Sequence, residues 1–546
     1  MTLAPFRPAL ALSLALACAA AGQVTNDDLV ADPDIASDWL NYHGGYAGHR
    51  HSLLDEVNVS NVGSLRVEWV FQERISEKFE VTPLVHDGIM YITVPPGDVY
   101  ALDAETGARL WRYSRQMPPK LIACCGLVNR GLAILGDRLF MATLDAYAIA
   151  LDRKTGRLLW ESELIDYRLG YSGTHAPLVA KDLVMVGTAG GEYGIRGFID
   201  AFDVETGERR WRFYTVPGPG EFGNDTWEGD SWKTGGASIW ITPSYDPELD
   251  LVYWGVGNPG PDWNGDVRLG DNLFSDSVVA LDLDTGKRKW HFQFTPHDVH
   301  DWDATQVMVL LDKEYRGRMR QLLVTANRNG FIYMLDRATG EFLKATQFVK
   351  QTWAVGISEE GRPIRRPGME PSAEGIEVFP TVAGGTNWMS PAYNPDTGLL
   401  YVSCREGSSM YYKGETEYRP GTRYWGSMFV NEATMHNWYG AVRAFDPVTA
   451  ERVWEHRLFR PAWAGLASTA GGLIFAGTSD GFFKALDAAS GDELWRINLG
   501  SGIQASPMTY EARGRQMVAV ASGGGVFVFA LPPSPRGAAS AAAGLP

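Results

Sequence analysis

One short unit recurs along this 546-residue chain, and its form and spacing predict an all-β fold, an eight-bladed β-propeller with tryptophan-docking repeats. The unit reads apolar-x-Asp, a two-residue step, Thr-Gly, three variable residues and an aromatic. It appears as ALDAETGARLW ending at Trp111, ALDRKTGRLLW at Trp160, AFDVETGERRW at Trp211 and ALDLDTGKRKW at Trp290. AFDPVTAERVW ends at Trp454 and ALDAASGDELW at Trp495. A degenerate copy, MLDRATGEF, ends at Phe342, and VGSLRVEW, ending at Trp69, has the form of a first copy's tail, which completes eight.

Each part of the unit has a physical job. The apolar-x-Asp start alternates as a strand does, and Thr-Gly supplies a turn in which glycine is free to take φ > 0. The aromatic ends the next strand and is placed to pack on the neighbouring unit. Spacings of roughly 40 to 50 residues suit one four-stranded sheet per unit. Two longer gaps, Trp211 to Trp290 and Phe342 to Trp454, imply insertions on one face. Both are rich in Trp, Tyr, Gly and Pro, and functional loops gather on such a face. A WD-repeat scaffold fits poorly, because neither its Gly-His nor its Trp-Asp signature recurs at this period.

The ends read differently. Residues 1–22 form a processing segment: Arg7 as a positive start, an apolar run from Ala9 to Ala17, and small residues from Ala19 to Gly22 for cleavage. No Arg-Arg pair stands in it, which favours the general secretory route. Cys18 as a lipoprotein cysteine is the alternative, but Ala15 occupies the position where Leu is usual. The propeller is expected over 23–531, and the Pro/Ala-rich 532–546 is expected to be disordered. No later stretch reaches the roughly 18 apolar residues of a spanning helix, so the chain reads as a soluble protein exported to the periplasm.

Composition narrows the function classes. The net charge of −16 argues against nucleic-acid binding, which needs a basic face, and is compatible with a cationic protein partner. After cleavage three cysteines remain. Cys404, in VSC, reads as a buried strand thiol. Cys124 and Cys125 are adjacent, with Cα atoms about 3.8 Å apart across a trans peptide, so a bond between them would be strained; two unbonded core thiols are the other reading. No C-x-x-C-H occurs, so no c-type haem is attached to this chain.

TPHDVHDWD, from Thr295 to Asp303, holds three carboxylates and two imidazoles. If the backbone is extended there, Asp301 and Asp303 point to one face. Like charges so placed repel, and a hard cation taking oxygen ligands removes the conflict. A zinc site on His297 and His300 is disfavoured: an extended loop turns them apart, and no third nitrogen or sulfur ligand is near. Other polar residues stand in Gly-rich turns where alternation predicts apolar ones. They are Glu80 in EVTPLV, Arg130 in CCGLVNRG, Thr174 in GYSGTHAP, Glu192 after Gly190 and Gly191 in AGGEYGIRG, and Ser238 and Trp240 in GGASIW. Asn258 in GNPGP, Arg328 in TANRNG, Asn387 and Trp388 in GGTNW, and Trp463 in RPAWAG complete the set. Singly, Glu192 reads as a surface turn acid, Asn258 as a turn former, Trp240 as core and Arg328 as solvated. Their occurrence together and in order is what points to a site.

With these motifs the chain resembles the pyrroloquinoline-quinone (PQQ) dependent alcohol dehydrogenases, the methanol and ethanol dehydrogenase family, over roughly residues 37 to 531. The resemblance implies that Glu192, Asn258 and Asp301 are metal ligands, with Asp301 also the catalytic base. It implies a Cys124–Cys125 disulfide on one face of the quinone and Trp240 stacked on the other. Glu80, Arg130, Thr174, Ser238, Arg328 and Asn387 fall on positions that hold the cofactor's carboxylates and carbonyls; Gly190 and Gly191 allow close backbone approach, and Trp388 and Trp463 stand in cofactor or substrate motifs. PQQ is a flat tricarboxylate and needs a flat slot with an aromatic floor and cationic walls. Asp303 matches the lanthanide-dependent branch, where calcium enzymes carry a small uncharged residue. With Glu192 and Asp301 it gives three negative charges, better matched to a trivalent ion than to Ca²⁺, which is the alternative.

The resemblance further implies a small primary alcohol as substrate, a separate periplasmic cytochrome c as electron acceptor, and a homodimer as a possible assembly. An aromatic-rich insertion between Ser408 and Trp438 is expected to cap the substrate cavity. Three competing readings are a cofactor-free propeller scaffold for protein assembly, a calcium-dependent quinoprotein for bulkier alcohols, and a membrane-bound sugar dehydrogenase, which needs spanning helices before the propeller.

Overall fold

The computed structural model describes residues 22–34, 36–75 and 78–533; residues 1–21 of the processing segment and 534–546 of the tail lie outside them. The described residues are almost wholly strand and turn, with a single α-helix at Asn26–Ala31, capped reciprocally by Thr25 and Asp28. Among them, no helix is long and apolar enough to cross a membrane.

Eight sheets carry at least four strands each. Six are meanders within residues 84–114, 133–163, 178–214, 244–293, 309–347 and 392–458. The seventh, within 466–498, gains a fifth strand, His51–Ser52, which runs parallel to Leu466–Thr469. The eighth joins the two ends of the fold: Arg66–Gln72 pairs antiparallel with Gly525–Ala530, from Arg66 opposite Ala530 to Gln72 opposite Gly525. Central strands such as Tyr147–Asp152 and Phe331–Asp336 are buried on both faces, and so carry apolar runs rather than clean alternation.

The repeat unit resolves into two devices. In the first, the Asp Oδ1 accepts from the backbone two and three residues on and from the Thr hydroxyl: Asp103 from Glu105 N, Thr106 N and Thr106 Oγ1 at 2.8–3.1 Å, with Asp152 and Asp203 doing the same. This side-chain turn explains the Asp-x-x-Thr spacing. In the second, the Trp of one unit covers the turn of the next. The indoles of Trp69, Trp111, Trp160, Trp211, Trp290 and Trp454 donate to backbone carbonyls of the following copy at 3.0–3.3 Å. The turn glycine lies against each ring; a Cβ on Gly156 would stand 2.5 Å from Trp111. Phe342, lacking an indole N–H, stacks instead on Phe292 with ring centroids 5.7 Å apart. The copy after Phe342 is also the one whose turn glycine is replaced, by Ala450 at φ 55°.

The second insertion builds its own small sheet from Ile376–Val378, Ser409–Lys413 and Ser427–Val430. It is stapled to the turn before the TPHDVHDWD stretch: Trp263 N donates to Trp425 O at 2.9 Å, and the Trp263 ring meets Trp425 and Phe429 edge-on.

Gly156→Ala combines a left-handed alanine with a Cβ driven into Trp111, and should cost about 2–4 kcal/mol in denaturant unfolding. Adding Trp111→Phe should recover about 1 kcal/mol of that in a double-mutant cycle; strict additivity would refute the contact as the cause.

Candidate functional site

The TPHDVHDWD stretch is not extended at its key residue. Asp301 adopts φ 60° and His297 φ 51°, both left-handed. The reason lies in Asp298, whose Oδ1 accepts from His300 N at 3.0 Å and whose Oδ2 accepts from Trp302 N at 2.8 Å, curling the loop over its own side chain. His300 and Trp302 are then drawn into the core, stacked 4.3 Å apart, with Trp302 Nε1 donating to Thr381 O. Asp301 and Asp303 nevertheless meet one group, because Arg328 bridges them: its Nη2 lies 3.6 Å from Asp301 Oδ2, and its Nη1 donates to Asp303 Oδ2. The shared facing expected of an extended strand is thus reached by a curled loop and a common cation. His297 and His300 each spend a ring nitrogen on a backbone carbonyl, Gly270 O and Met369 O, at 2.8 Å.

Around this pair the other residues converge. Asp303 Oδ1 accepts from Asn258 N at 2.9 Å, and Asn258 Nδ2 donates to Asp262 Oδ1 at 3.0 Å. Glu192 sits on a single 3-10 turn entered at Gly190 with φ 118°. A Cβ on Gly190 would stand 2.1 Å from Gly170 O, and one on Gly257 would stand 2.4 Å from Asp303 Oδ1, so both positions need glycine. One on Gly191 would approach Ser238 Oγ to 3.1 Å and Asn258 Oδ1 to 3.6 Å. Cys124 and Cys125 are bonded as an adjacent disulfide, and their Sγ atoms and a Glu192 carboxylate oxygen lie within 4.8 Å of one another. Among the described residues, Glu192, Asp301 and Asp303 do not all approach that closely, consistent with like charges held apart while Arg328 draws the two aspartates.

Aromatic rings gather around Arg130. Arg130 pairs with buried Glu80 at 2.8 Å and lies over both Trp240 and Trp388, 5.3 and 5.0 Å from their ring centroids. Its backbone N donates to Thr174 O at 3.0 Å. Trp240, Trp388 and Trp463 share one apolar cluster with Ile241 and Val307. Ser238 is buried and its carbonyl accepts from Gly257 N at 2.8 Å. Asn387 is buried beside Trp388, whose N donates to Asn387 Oδ1 at 2.8 Å.

The electrostatics are severe. Burial raises the Glu192 carboxyl to about 7, with Asp303 adding to the rise against Arg328 and Arg423. Burial also lifts Asp301 well above the ordinary carboxylate range; Arg328 opposes it, while Asp303, Asp262 and Glu192 reinforce it. Asp303 is raised by burial against Arg328 and the Asn258 N–H. Burial works against the Arg328 charge, but Asp301 and Asp303 outweigh it and hold its pKa above the usual value. A hard cation here would relieve the repulsion, and the donors of Glu192, Asn258, Asp301 and Asp303 are all oxygens, as such an ion requires.

Several residues of the site escape sequence reasoning. Asp262, four residues beyond Asn258, has an Oδ2 buried without a partner and is pushed well above the carboxylate range by burial, then by Glu192. Asp276 is fully buried with neither oxygen hydrogen-bonded. From the second insertion, Tyr424 N donates to Glu192 O at 2.7 Å, so the Ser408–Trp438 segment does reach the carboxylate cluster. Asp262 alone carries a legible signal, as a second acid in the GNPGPDWN turn.

The family model for PQQ-dependent glucose, ethanol and alcohol dehydrogenases, β-propeller domain, matches residues 39–360 and 455–518, and the chain belongs to that family. It is 40% identical to the quinoprotein alcohol dehydrogenase PedH of Pseudomonas putida, over 96% of this chain and 93% of that protein. It is 39% identical to the lanthanide-dependent methanol dehydrogenase of Methylacidiphilum fumariolicum, over 93% and 88%. Among solved structures, a europium-containing methanol dehydrogenase superposes with a TM-score of 0.88 at 36% identity, covering 92% of this chain and all of the other.

His175, next to Thr174, is buried; it accepts from Gly187 N at Nε2 (2.9 Å) and donates from Nδ1 to Ala176 O (2.8 Å), which fixes it neutral. Burial lowers its pKa from 6.5 to about 4. A depressed folded value means that the unfolded chain binds the proton first, so stability present above pH 6.5 is lost as pH falls towards 4. Denaturant titrations of His175→Gln across that window should show a shallower pH slope than the parent; an equal slope would remove His175 as a contributor.

Proposed function

We propose that this chain is a periplasmic PQQ-dependent alcohol dehydrogenase that oxidises a primary alcohol to an aldehyde, on a closed eight-bladed propeller whose Trp residues dock each blade on the next. The observation that carries the reading is the adjacent disulfide standing against Glu192, together with the carboxylates that Arg328 gathers and the Trp240 and Trp388 rings against Arg130.

Glu192, Asn258, Asp301 and Asp303 would hold the metal, and Arg130, Thr174, Ser238, Arg328 and Asn387 the polar rim of PQQ, with Trp240 and the disulfide on its two faces. When bound, PQQ would supply the hydride acceptor, and a metal held by those oxygens would supply Lewis-acid polarisation. Asp301 takes the hydroxyl proton as the hydride leaves, and Arg328, 3.6 Å from its Oδ2, orients it. The insertion carrying Tyr411, Tyr424 and Trp425 excludes water from this end of the site. Three negative side chains, Glu192, Asp301 and Asp303, favour a trivalent lanthanide over Ca²⁺, and the similarity to a lanthanide-dependent enzyme supports that choice. A separate cytochrome c, drawn by the net charge of −16, would receive the electrons, and its reduction should slow as salt rises.

Purified protein supplied with PQQ should gain a near-ultraviolet absorption band and oxidise short primary alcohols with La³⁺ at least about tenfold faster than with Ca²⁺, the stronger Lewis acid giving the faster rate. Equal or better turnover with Ca²⁺ would remove the lanthanide assignment, and no band would remove the quinoprotein reading. Asp303→Ala should abolish the preference for La³⁺. Asp301→Asn should lower kcat by about 10²-fold or more while the absorption band persists.

A further inference from the structure

Among the described residues, three arginines are deeply buried without a carboxylate partner, and two of them are satisfied by the backbone and a side-chain amide. Arg50 donates from Nε, Nη1 and Nη2 to the carbonyls of Leu466, Tyr42 and Pro507. Arg268 donates to Pro261 O, Asp298 O and Asn272 Oδ1. Arg405 differs. Its side chain makes one hydrogen bond, from Nη1 to Ala462 O at 2.7 Å, and its Nε is buried without a partner. Among the described residues no carboxylate pairs with it; the neighbouring Glu406 points to the opposite face of the strand Leu399–Glu406 and pairs with Arg443 at 2.8 Å.

The guanidinium stands against the aromatic residues of the site. Its plane lies 3.9 Å from the Trp463 ring centroid, and Trp463 packs in the same cluster as Trp240 and Trp388. Its backbone is tied to Arg328 through one glycine: Arg405 N donates to Gly385 O at 2.8 Å, and Gly385 N donates to Arg328 O at 2.9 Å. Burial, then the like charge of Arg328, brings the Arg405 pKa down to about 9. A buried cation left unpaired is costly, and an anion at its free edge offsets that cost.

We infer that Arg405 is a further cationic ligand of the anionic cofactor, with its Nε–Nη2 edge donating to a carboxylate oxygen of PQQ. This rests on the quinoprotein reading above. A guanidinium clamped by Trp463 and Ala462 O is pre-organised for such an oxygen, and lysine cannot reproduce the two-donor edge.

The test measures PQQ binding and stability of the metal-free and cofactor-free chain separately. PQQ is titrated into wild type, Arg405→Met and Arg405→Lys at fixed La³⁺, followed by tryptophan quenching and equilibrium dialysis, and the melting temperature of each protein is read without and with PQQ. Arg405→Met should raise the Kd for PQQ by about tenfold or more, Arg405→Lys by less. Without PQQ, Arg405→Met should melt no lower than wild type, since an unpaired buried charge has been removed; with PQQ its gain in melting temperature should be the smaller. A Kd within twofold of wild type would overturn the inference, as would a PQQ-free melting temperature that falls while the gain on binding stays intact, the signature of a purely structural arginine. Failure of wild type itself to take up PQQ would sink the quinoprotein reading, and Arg405's role with it.

Discussion

The site depends on one electrostatic constraint: carboxylates brought together where water cannot shield them. Burial raises the pKa values of Glu192, Asp262, Asp301 and Asp303, and neighbouring carboxylates add to each rise; among the described residues, Arg328 is the side chain that pairs with two of them. Such an arrangement is expensive in isolation. It persists because the surrounding sheets fix every backbone segment that carries it, so the repulsion is borne by the fold as a whole. Oxygen donors crowded in this way bind a multivalent cation readily, since the ion removes a penalty already present.

The same logic divides the pocket into two halves with different tasks. Around Glu80, Arg130, Trp240 and Trp388 the charges are paired and the rings supply flat area, which suits holding a planar anion. Around Asp301 and Asp303 negative charge exceeds positive charge, which suits a metal and a proton acceptor. The second insertion packs on the acidic half, where Tyr424 N donates to Glu192 O and Trp425 O accepts from Trp263 N.

Much of the architecture was legible because each repeat carries its mechanism in its letters: the Asp of Asp-x-x-Thr-Gly caps its own turn, and the aromatic reaches the next turn. Eight units were countable, and eight sheets of four or more strands are present among the described residues. The carboxylates, arginines and tryptophans stood in turns where alternation calls for apolar residues, so they could be named as candidates. What stayed hidden depends on local backbone choice or on distant pairing. Asp301 was expected in an extended segment, but Asp298 curls the loop by accepting two backbone N–H groups, and a carboxylate's preference for its own backbone is not visible in spacing. Asp276 and Arg405 look like ordinary turn and strand residues until their neighbours in space, such as Ala462, 57 residues beyond Arg405, are known to leave them unpaired.

The strand Arg66–Gln72 finds its partner only in Gly525–Ala530, nearly the whole chain later. During synthesis, that early strand has an open hydrogen-bonding edge until the last segment emerges. An open edge invites pairing with other chains. A clip near either end of the fold would therefore expose the same seam, and loss of the final few strands should be felt at the chain's beginning as well as at its end.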